Sequence, residues 1–285
     1  MIRPPRMNLR DLIIRGACAA AIAALPHAAR AADASTWSQD TKSAVRLIAG
    51  ANEKDAKSAP LRAGIEIKME PGWHTYWRYP GDSGVPPRFS FAGSDNIKAA
   101  TVRFPAPVLF SDGGGQSIGY SDSVIFPVAI VPIDPAKPVI ARLKIEYAVC
   151  EKLCVPAEGK AELPIGAAPS TQDTALKDAE ARVPKKADAA ALGLSLRRVN
   201  NAAKPLVAVD LNAASDAPMR IFAEGPSPEW ALPIPKPAPG APAGRRHFGF
   251  ELDGLPPGAD PKKPYDLTFT VVEGDRAYEV TARLD

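Results

Sequence analysis

The sequence is poor in the residues that build metal centres and disulfide scaffolds. Its 285 residues include only three cysteines and three histidines. Three cysteines are too few for a disulfide-rich framework, and a metal site needs more ligands than two thiolates. No basic stripe or recognition motif indicates nucleic-acid binding. No apolar run reaches the roughly 20 residues that a membrane-spanning helix needs, so no membrane span is predicted.

The first 31 residues have the layout of a secretory signal peptide. Basic residues come first, an Ala-rich apolar run over residues 16–25 follows, and Ala29-Arg30-Ala31 is a small-x-small cleavage site. This segment holds Cys18 and five of the arginines, so the net charge of +3 falls to near −1 without it. We therefore expect export to the periplasm, with Cys150 and Cys154 as the two cysteines of the mature chain.

Short alternating segments with Pro and Gly turns dominate the mature chain. Residues 61–69 and 139–147 alternate apolar and charged side chains, which is typical of half-buried strands. We expect an all-β fold of two immunoglobulin-like antiparallel β-sandwich domains joined by a short helix. The expected boundaries are a signal peptide 1–31, a first immunoglobulin-like domain 32–168, a linker helix 169–190 and a second β-sandwich domain 191–285.

Three segments depart from the strand pattern. Residues 170–184 have helical spacing, with Ser170 and Asp173 as the expected N-terminal cap and Pro184 as the stop. Residues 111–120 are rich in glycine and predict a long loop. Residues 225–244 are rich in proline and predict an irregular connection around Trp230.

Cys150 and Cys154 lie at the join of two predicted strands. Residues four apart in an extended strand are separated by about 13 Å, whereas a disulfide needs Cα atoms roughly 4.4–6.8 Å apart. A disulfide therefore requires the chain to turn back through residues 151–153, which is long enough for a three-residue hairpin loop. The residues alone leave three interpretations open: a structural clip, a metal site with the distant His74 or His247, and a redox-active pair.

The surroundings of the pair differ from those of a thioredoxin site. In thioredoxins, Cys-x-x-Cys begins a helix whose dipole lowers the thiolate pKa. Here Val155 and Pro156 lead into a strand instead. The positive charge of Lys152 would stabilise a thiolate, and the negative charge of Glu151 would destabilise one. Alternatively, both residues are ordinary solvent-exposed charges of the loop.

Three motifs in order give a resemblance to a known family. They are Pro71-Gly72-Trp73-His74-x-Tyr76-Trp77, then Pro80-Gly81-Asp82-Ser83-Gly84, then Tyr147-x-x-Cys150-Glu151-x-x-Cys154-x-Pro156. Over residues 65–165 the chain resembles the N-terminal periplasmic domain of the DsbD/ScsB thiol:disulfide interchange family. The resemblance implies an immunoglobulin-like domain whose two cysteines take electrons from a thioredoxin-like domain and pass them to periplasmic partners.

The resemblance also implies a set of site residues. Cys150 and Cys154 are the expected catalytic residues. The attacking thiolate is expected on the more exposed cysteine, which we take to be Cys154. A loop that caps the cysteines in the family corresponds to residues 113–120, which include Ile118, Gly119 and Tyr120. Ile118 and Tyr120 are expected to shield the sulfurs, and the alternative is an ordinary flexible loop. The expected surroundings also include Tyr147 and Glu151. Trp73, Tyr76, Trp77 and Arg78 are expected to be core and turn residues of the fold.

The expected function is electron relay by dithiol/disulfide exchange, as a component of a protein-disulfide reductase that needs no cofactor and no metal. The chain shows neither membrane helices nor a thioredoxin-like domain, so we expect a stand-alone domain with separate partners. These would be a thioredoxin-like periplasmic protein and a membrane electron-transfer protein of the DsbD/CcdA type. The alternative is a non-enzymatic binding or assembly module, for cytochrome maturation or metal tolerance, with a structural disulfide.

Overall fold

A computed structural model gives the fold of the chain. It describes residues 1–2, 32–52, 59–82, 84–112, 115–166, 169–199 and 204–285. Residues Ala32–Asp285 form one compact unit. The predicted signal peptide, apart from its first two residues, lies outside the described residues.

Two antiparallel sheets form the first sandwich. Sheet A has the order β1-β2-β3-β9-β6, and sheet B has the order β11-β10-β4-β8-β7 with β5 also paired to β10. The strands are β1 (Ser38–Gln39), β2 (Ser43–Ala49), β3 (Leu61–Met69), β4 (His74–Gly81), β5 (Arg88–Ser90), β6 (Ile97–Val102), β7 (Val108–Asp112), β8 (Gly115–Ser121), β9 (Ser123–Pro132), β10 (Val139–Cys150) and β11 (Cys154–Ile165).

Alternating side chains build the core between these sheets. The predicted strand 61–69 coincides with β3, which sends Ile65 and Ile67 fully inward and leaves Lys68 in solvent. Strand β10 alternates in the same way and buries Ile145. Sequence patterning did not predict β2, because both of its faces are largely buried and its apolar residues do not alternate with polar ones.

The predicted helix is present and packs against the first sandwich. It is α1 (Asp173–Ala181), and its Leu176 is fully buried beside Gly50 and Gly64. The predicted cap is wrong: Gln172 is the N-cap residue and makes no capping bond with its side chain. Ser170 instead donates its hydroxyl to the carbonyl of Ala49.

Two further four-stranded sheets form the second sandwich, in the orders β12-β19-β18-β15 and β13-β14-β17-β16. All their pairings are antiparallel except that of β12 with β19. The strands are β12 (Lys185–Lys186), β13 (Ser195–Arg198), β14 (Leu206–Asn212), β15 (Met219–Glu224), β16 (Lys236–Ala238), β17 (Arg245–Glu251), β18 (Tyr265–Glu273) and β19 (Arg276–Leu284).

The predicted all-β fold class is confirmed, with two antiparallel sandwiches and one short helix among the described residues. The proline-rich stretch is mostly irregular, as predicted, and contributes only the short edge strand β16. Its Trp230 is buried, with its ring centroid 4.7 Å from that of Tyr265. In the part of the chain that the structure describes, no helix is long and apolar enough to cross a membrane.

Candidate functional site

The two cysteines close the tip of the longest hairpin in the first sandwich. Strands β10 and β11 pair over their full lengths, and the last pair in register is Cys150 with Cys154. A three-residue loop joins them, as predicted. The sulfurs form a disulfide, and the two Cα atoms are 4.1 Å apart.

The two sulfur-bearing residues differ sharply in exposure. Cys150 is 2% exposed, because β10 is a central strand of sheet B and pairs Cys150 with His74 of β4 on its other side. Cys154 is solvent-exposed on the edge strand β11. The intervening Leu153 is 78% exposed. A protein partner therefore reaches the Cys154 sulfur more easily than the Cys150 sulfur.

Tyr76 touches both sulfurs. Its hydroxyl oxygen lies 2.6 Å from the Sγ of Cys150 and 3.0 Å from the Sγ of Cys154. Since a disulfide carries no proton, the tyrosine hydroxyl is the donor in both contacts. The register of β4 against β10 explains the contact: His74 is paired with Cys150, so His74 and Tyr76 share its face of sheet B.

A glycine of the second motif covers the ring of Tyr76. Gly84 has φ of +121°, and a Cβ added to it would lie 2.3 Å from the Cε1 of Tyr76. Both the backbone conformation and the space therefore require glycine at this position. The Tyr76 ring is fully buried, which holds its hydroxyl against the disulfide.

An aromatic stack extends the site across sheet B. The rings of His74 and Phe110 are stacked with centroids 4.6 Å apart, and His74 meets Tyr76 edge to face at 5.6 Å. Val108, two residues before Phe110, shares that face and is 43% exposed. The disulfide thus lies at one end of an apolar strip on the outer face of the sheet.

The predicted cap residues lie elsewhere. The predicted loop 111–120 is for the most part strand, in β7 and β8, and residues 113–114 lie outside the described part of the chain. Ile118 and Tyr120 point into the core of the first sandwich, where Tyr120 donates its hydroxyl to the carbonyl of Pro105. Gly119 faces the Tyr76 side of the sheet, but an added Cβ would collide with the backbone of Thr75. The structure does not bring the three together over the sulfurs.

The two remaining predicted neighbours of the disulfide, Tyr147 and Glu151, lie in different places. Tyr147 points into the core, where its hydroxyl lies 2.6 Å from that of Ser43, and burial raises its pKa. Glu151 lies in the exposed hairpin loop, beside the turn that contains Gly72. Of the two, only Glu151 lies in the loop that the disulfide closes.

Tyr76 and its neighbours are the residues that sequence reasoning missed. We expected Tyr76 to be structural, and the structure places its hydroxyl at the sulfurs. Trp77 is a core residue, as expected, and packs on Phe222 of the second sandwich. The alternation of His74 and Tyr76 was visible in the sequence, but only the pairing of β4 with β10 shows that both face the disulfide.

Comparison with known proteins agrees with this geometry. Residues 44–165 match the family described as thiol:disulfide interchange protein DsbD, N-terminal. This segment belongs to the DsbD N-terminal domain family. Its disulfide hairpin and the Tyr76 contact both lie within the matched range. No curated protein matches the chain by sequence.

A solved structure extends the likeness beyond the DsbD N-terminal segment. The N-terminal periplasmic domain of ScsB from Proteus mirabilis superposes with a TM-score of 0.68 and 19% sequence identity. The match covers 88% of this chain and 98% of that one, and it supports the fold of both sandwiches. A chimeric titin Z1Z2 carrying a decorin peptide aligns over 90% of this chain and 97% of its own, at 11% identity, but its TM-score of 0.18 carries no weight.

Proposed function

We propose that this protein exchanges electrons with protein partners in the periplasm through the Cys150–Cys154 disulfide. The observation that carries the proposal is the asymmetry of the pair. Cys154 is an exposed residue on an edge strand, whereas Cys150 is buried, with its sulfur 2.6 Å from the Tyr76 hydroxyl. Membership of the thiol:disulfide interchange family supports the same chemistry.

The exchange follows from the exposure of Cys154. A partner thiolate attacks the Sγ of Cys154, forms a mixed disulfide and expels Cys150 as a thiolate. A second partner thiol, once deprotonated, then attacks the partner's own sulfur in the mixed disulfide and releases Cys154. The partner leaves with its own disulfide, and Cys150 and Cys154 carry the two electrons as thiols. The reverse sequence, begun by the Cys154 thiolate, reduces the next partner.

Tyr76 supports the leaving sulfur in this scheme. Its hydroxyl already lies 2.6 Å from Cys150. A hydrogen bond to a thiolate is stronger than one to a neutral sulfur, because the acceptor is charged. The contact therefore favours the expulsion of Cys150 and the reduced state of the pair.

The surface around Cys154 suits a thioredoxin-like partner. Leu153 exposes an apolar side chain in the loop that the disulfide closes, and Val108 exposes another at the opposite edge of the same sheet. Protein interfaces have desolvated cores with few charges. We infer that a thioredoxin-like domain presents its own cysteine pair here. A membrane electron-transfer protein of the DsbD/CcdA type would keep that partner reduced.

The midpoint potential of the pair tests the proposal against the structural alternative. The protein would be equilibrated with thiol buffers of known potential and its reduced fraction measured. Structural disulfides of secreted proteins lie below about −300 mV, and we expect a higher value for a relay. A potential below that limit would sink the relay and leave an assembly module with a structural disulfide.

Trapping identifies the sulfur that is attacked. The oxidised protein would be mixed with a thioredoxin whose resolving cysteine is replaced by serine, so that the mixed disulfide accumulates. Peptide mass spectrometry should find the link at Cys154. A link at Cys150 would contradict the proposed order of attack. The Cys154→Ser and Cys150→Ser proteins provide the matched comparison. Each would be mixed with the same thioredoxin after its remaining cysteine has been activated as a mixed disulfide with a small thiol, so that the two yields of cross-linked protein can be compared.

A further inference from the structure

The strand that carries Tyr76 loses its regular register with β8 directly after that residue. Strand β4 pairs with β8 through Tyr76 and Gly119, and pairing resumes only at Gly81 and Ser117. Residues 77–80 of β4 thus lie opposite the single residue Ile118. Strand β4 pairs with β10 only at His74 and Thr75. The sheet therefore gives residues 77–80 little backbone support.

The second sandwich provides that support through three consecutive side chains. Trp77 packs on Phe222 with ring centroids 5.8 Å apart. The hydroxyl of Tyr79 donates to the carbonyl of Leu232, and burial raises the pKa of Tyr79 to about 12, so the hydroxyl stays protonated and able to donate. Arg78 lies between these two contacts.

Arg78 makes the ion-paired connection of the three. Its Nε and Nη2 form a two-pronged ion pair with Glu224, at 2.9 and 2.7 Å, and Nη2 also lies 2.6 Å from Glu279. Its guanidinium stacks over the ring of Trp77 at 4.6 Å. All three charged side chains are less than one-third exposed. Partly buried, bidentate arginine pairs are geometrically specific.

We propose that the second sandwich sets the reactivity of the disulfide by holding β4 through the Arg78 cluster, defined as Arg78, Glu224 and Glu279. Arg78 is a positioning residue, because it touches neither sulfur. It lies two residues after Tyr76, on the segment of β4 whose register with β8 is irregular. Holding that segment keeps the Tyr76 hydroxyl at the sulfurs. The inference rests on the proposed function and assigns the second sandwich a role in it.

A double-mutant cycle separates positioning from simple destabilisation. The readouts are the thiol pKa values of the reduced protein and the rate at which dithiothreitol reduces the oxidised protein. Neither needs a protein partner, so they remain informative even if the potential proves the disulfide structural. Arg78→Gln should raise the lower thiol pKa by about half a unit, which is about a threefold loss of thiolate below that pKa.

The decisive measurement repeats Arg78→Gln in the Tyr76→Phe background. If Arg78 acts through the hydroxyl, the second substitution adds no further change, because the hydroxyl is already absent. Equal effects in both backgrounds would overturn the proposal, as would no effect in either. Arg78→Lys should restore part of the wild-type pKa, since it keeps a charge between the two carboxylates.

Arg142 is the matched control. It also joins two carboxylates, those of Asp95 and Glu162, and it lies on β10 eight residues before Cys150, outside the stretch that pairs with β4. Arg142→Gln should leave the thiol pKa and the reduction rate unchanged. If Arg78→Gln does not fold, Tyr79→Phe removes only the hydrogen bond to Leu232 and should shift the pKa in the same direction. A Tyr79→Phe protein with wild-type values would then count against the proposal.

Discussion

The hydroxyl of Tyr76 lies 2.6 Å from the Sγ of Cys150, on a strand neighbouring the cysteine hairpin. This contact joins the first motif of the sequence, which carries Tyr76, to the third, which carries the cysteines. The second motif contributes Gly84, which lies on the ring of Tyr76. The first two motifs are neighbours in the chain and the third lies far from them, and all three meet around Tyr76 beside the disulfide.

Tyr76→Phe should raise the pKa of the more acidic of the two thiols in the reduced protein. A hydrogen bond to a charged group contributes about 1.5–3 kcal/mol, and 1.36 kcal/mol corresponds to one pKa unit, so we expect a rise of about one to two units. The rate of iodoacetamide alkylation as a function of pH measures this value.

Tyr147→Phe is the control for that substitution. Tyr147 is also a buried tyrosine in sheet B, but it points to the core face of that sheet, where its hydroxyl contacts Ser43 of sheet A. Its loss should leave the thiol pKa unchanged. An equal pKa in the Tyr76→Phe and wild-type proteins would remove the role assigned to the hydroxyl.

Gly84→Ala should displace the ring of Tyr76 and slow the reduction of the disulfide. The new Cβ would lie within 2.3 Å of the ring, and overpacking of this kind costs about 1–3 kcal/mol. Gly93→Ala is the control, because Gly93 also has a positive φ but meets nothing within 4 Å. Urea unfolding and dithiothreitol kinetics compare the two variants. If Gly93→Ala costs as much as Gly84→Ala and slows reduction equally, the contact with Tyr76 is not the cause.

Leu176→Ala should destabilise the first sandwich through its helix. Leu176 is fully buried and fills the space left by Gly50 and Gly64. Truncation of a buried leucine costs about 2–5 kcal/mol. Asp178→Ala, on the exposed face of the same helix, should change the unfolding free energy by less than about 0.5 kcal/mol. A similar urea midpoint for both variants would show that the helix does not pack on the sandwich as described.

Acid should weaken the attachment of the same helix. The hydrogen bond from Lys177, together with those from the Ala51 amide and Arg62, lowers the pKa of Asp173 to about 2. Since the folded pKa lies below the unfolded value of about 3.9, the carboxylate stabilises the fold above about pH 4. That contribution is lost as the pH falls toward 2.

Urea midpoints between pH 2 and pH 6 measure this effect. Asp173→Asn should show a shallower decline of the unfolding free energy across that window than the wild-type protein. Asp275→Asn, at an exposed turn, serves as the comparison. A wild-type slope in the Asp173→Asn protein would mean that this carboxylate does not contribute to the acid sensitivity.

The sequence by itself determined the elements with a clear period and the hairpin at Cys150 and Cys154. Alternation predicted β3 to the residue, because each side chain of a strand points away from the last. The distance limits of a disulfide required residues 151–153 to turn. These are local arguments, and they needed no knowledge of which strands pair.

Only the tertiary structure decided which residues surround the sulfurs. Tyr76 reaches them because β4 pairs with β10 in one register, and a shift of one residue would turn Tyr76 to the other face. The same alternation turns Ile118 and Tyr120 into the core, away from their predicted place as a cap. The link from Arg78 to Glu224 spans 146 positions, and no local pattern encodes a contact between two sandwiches.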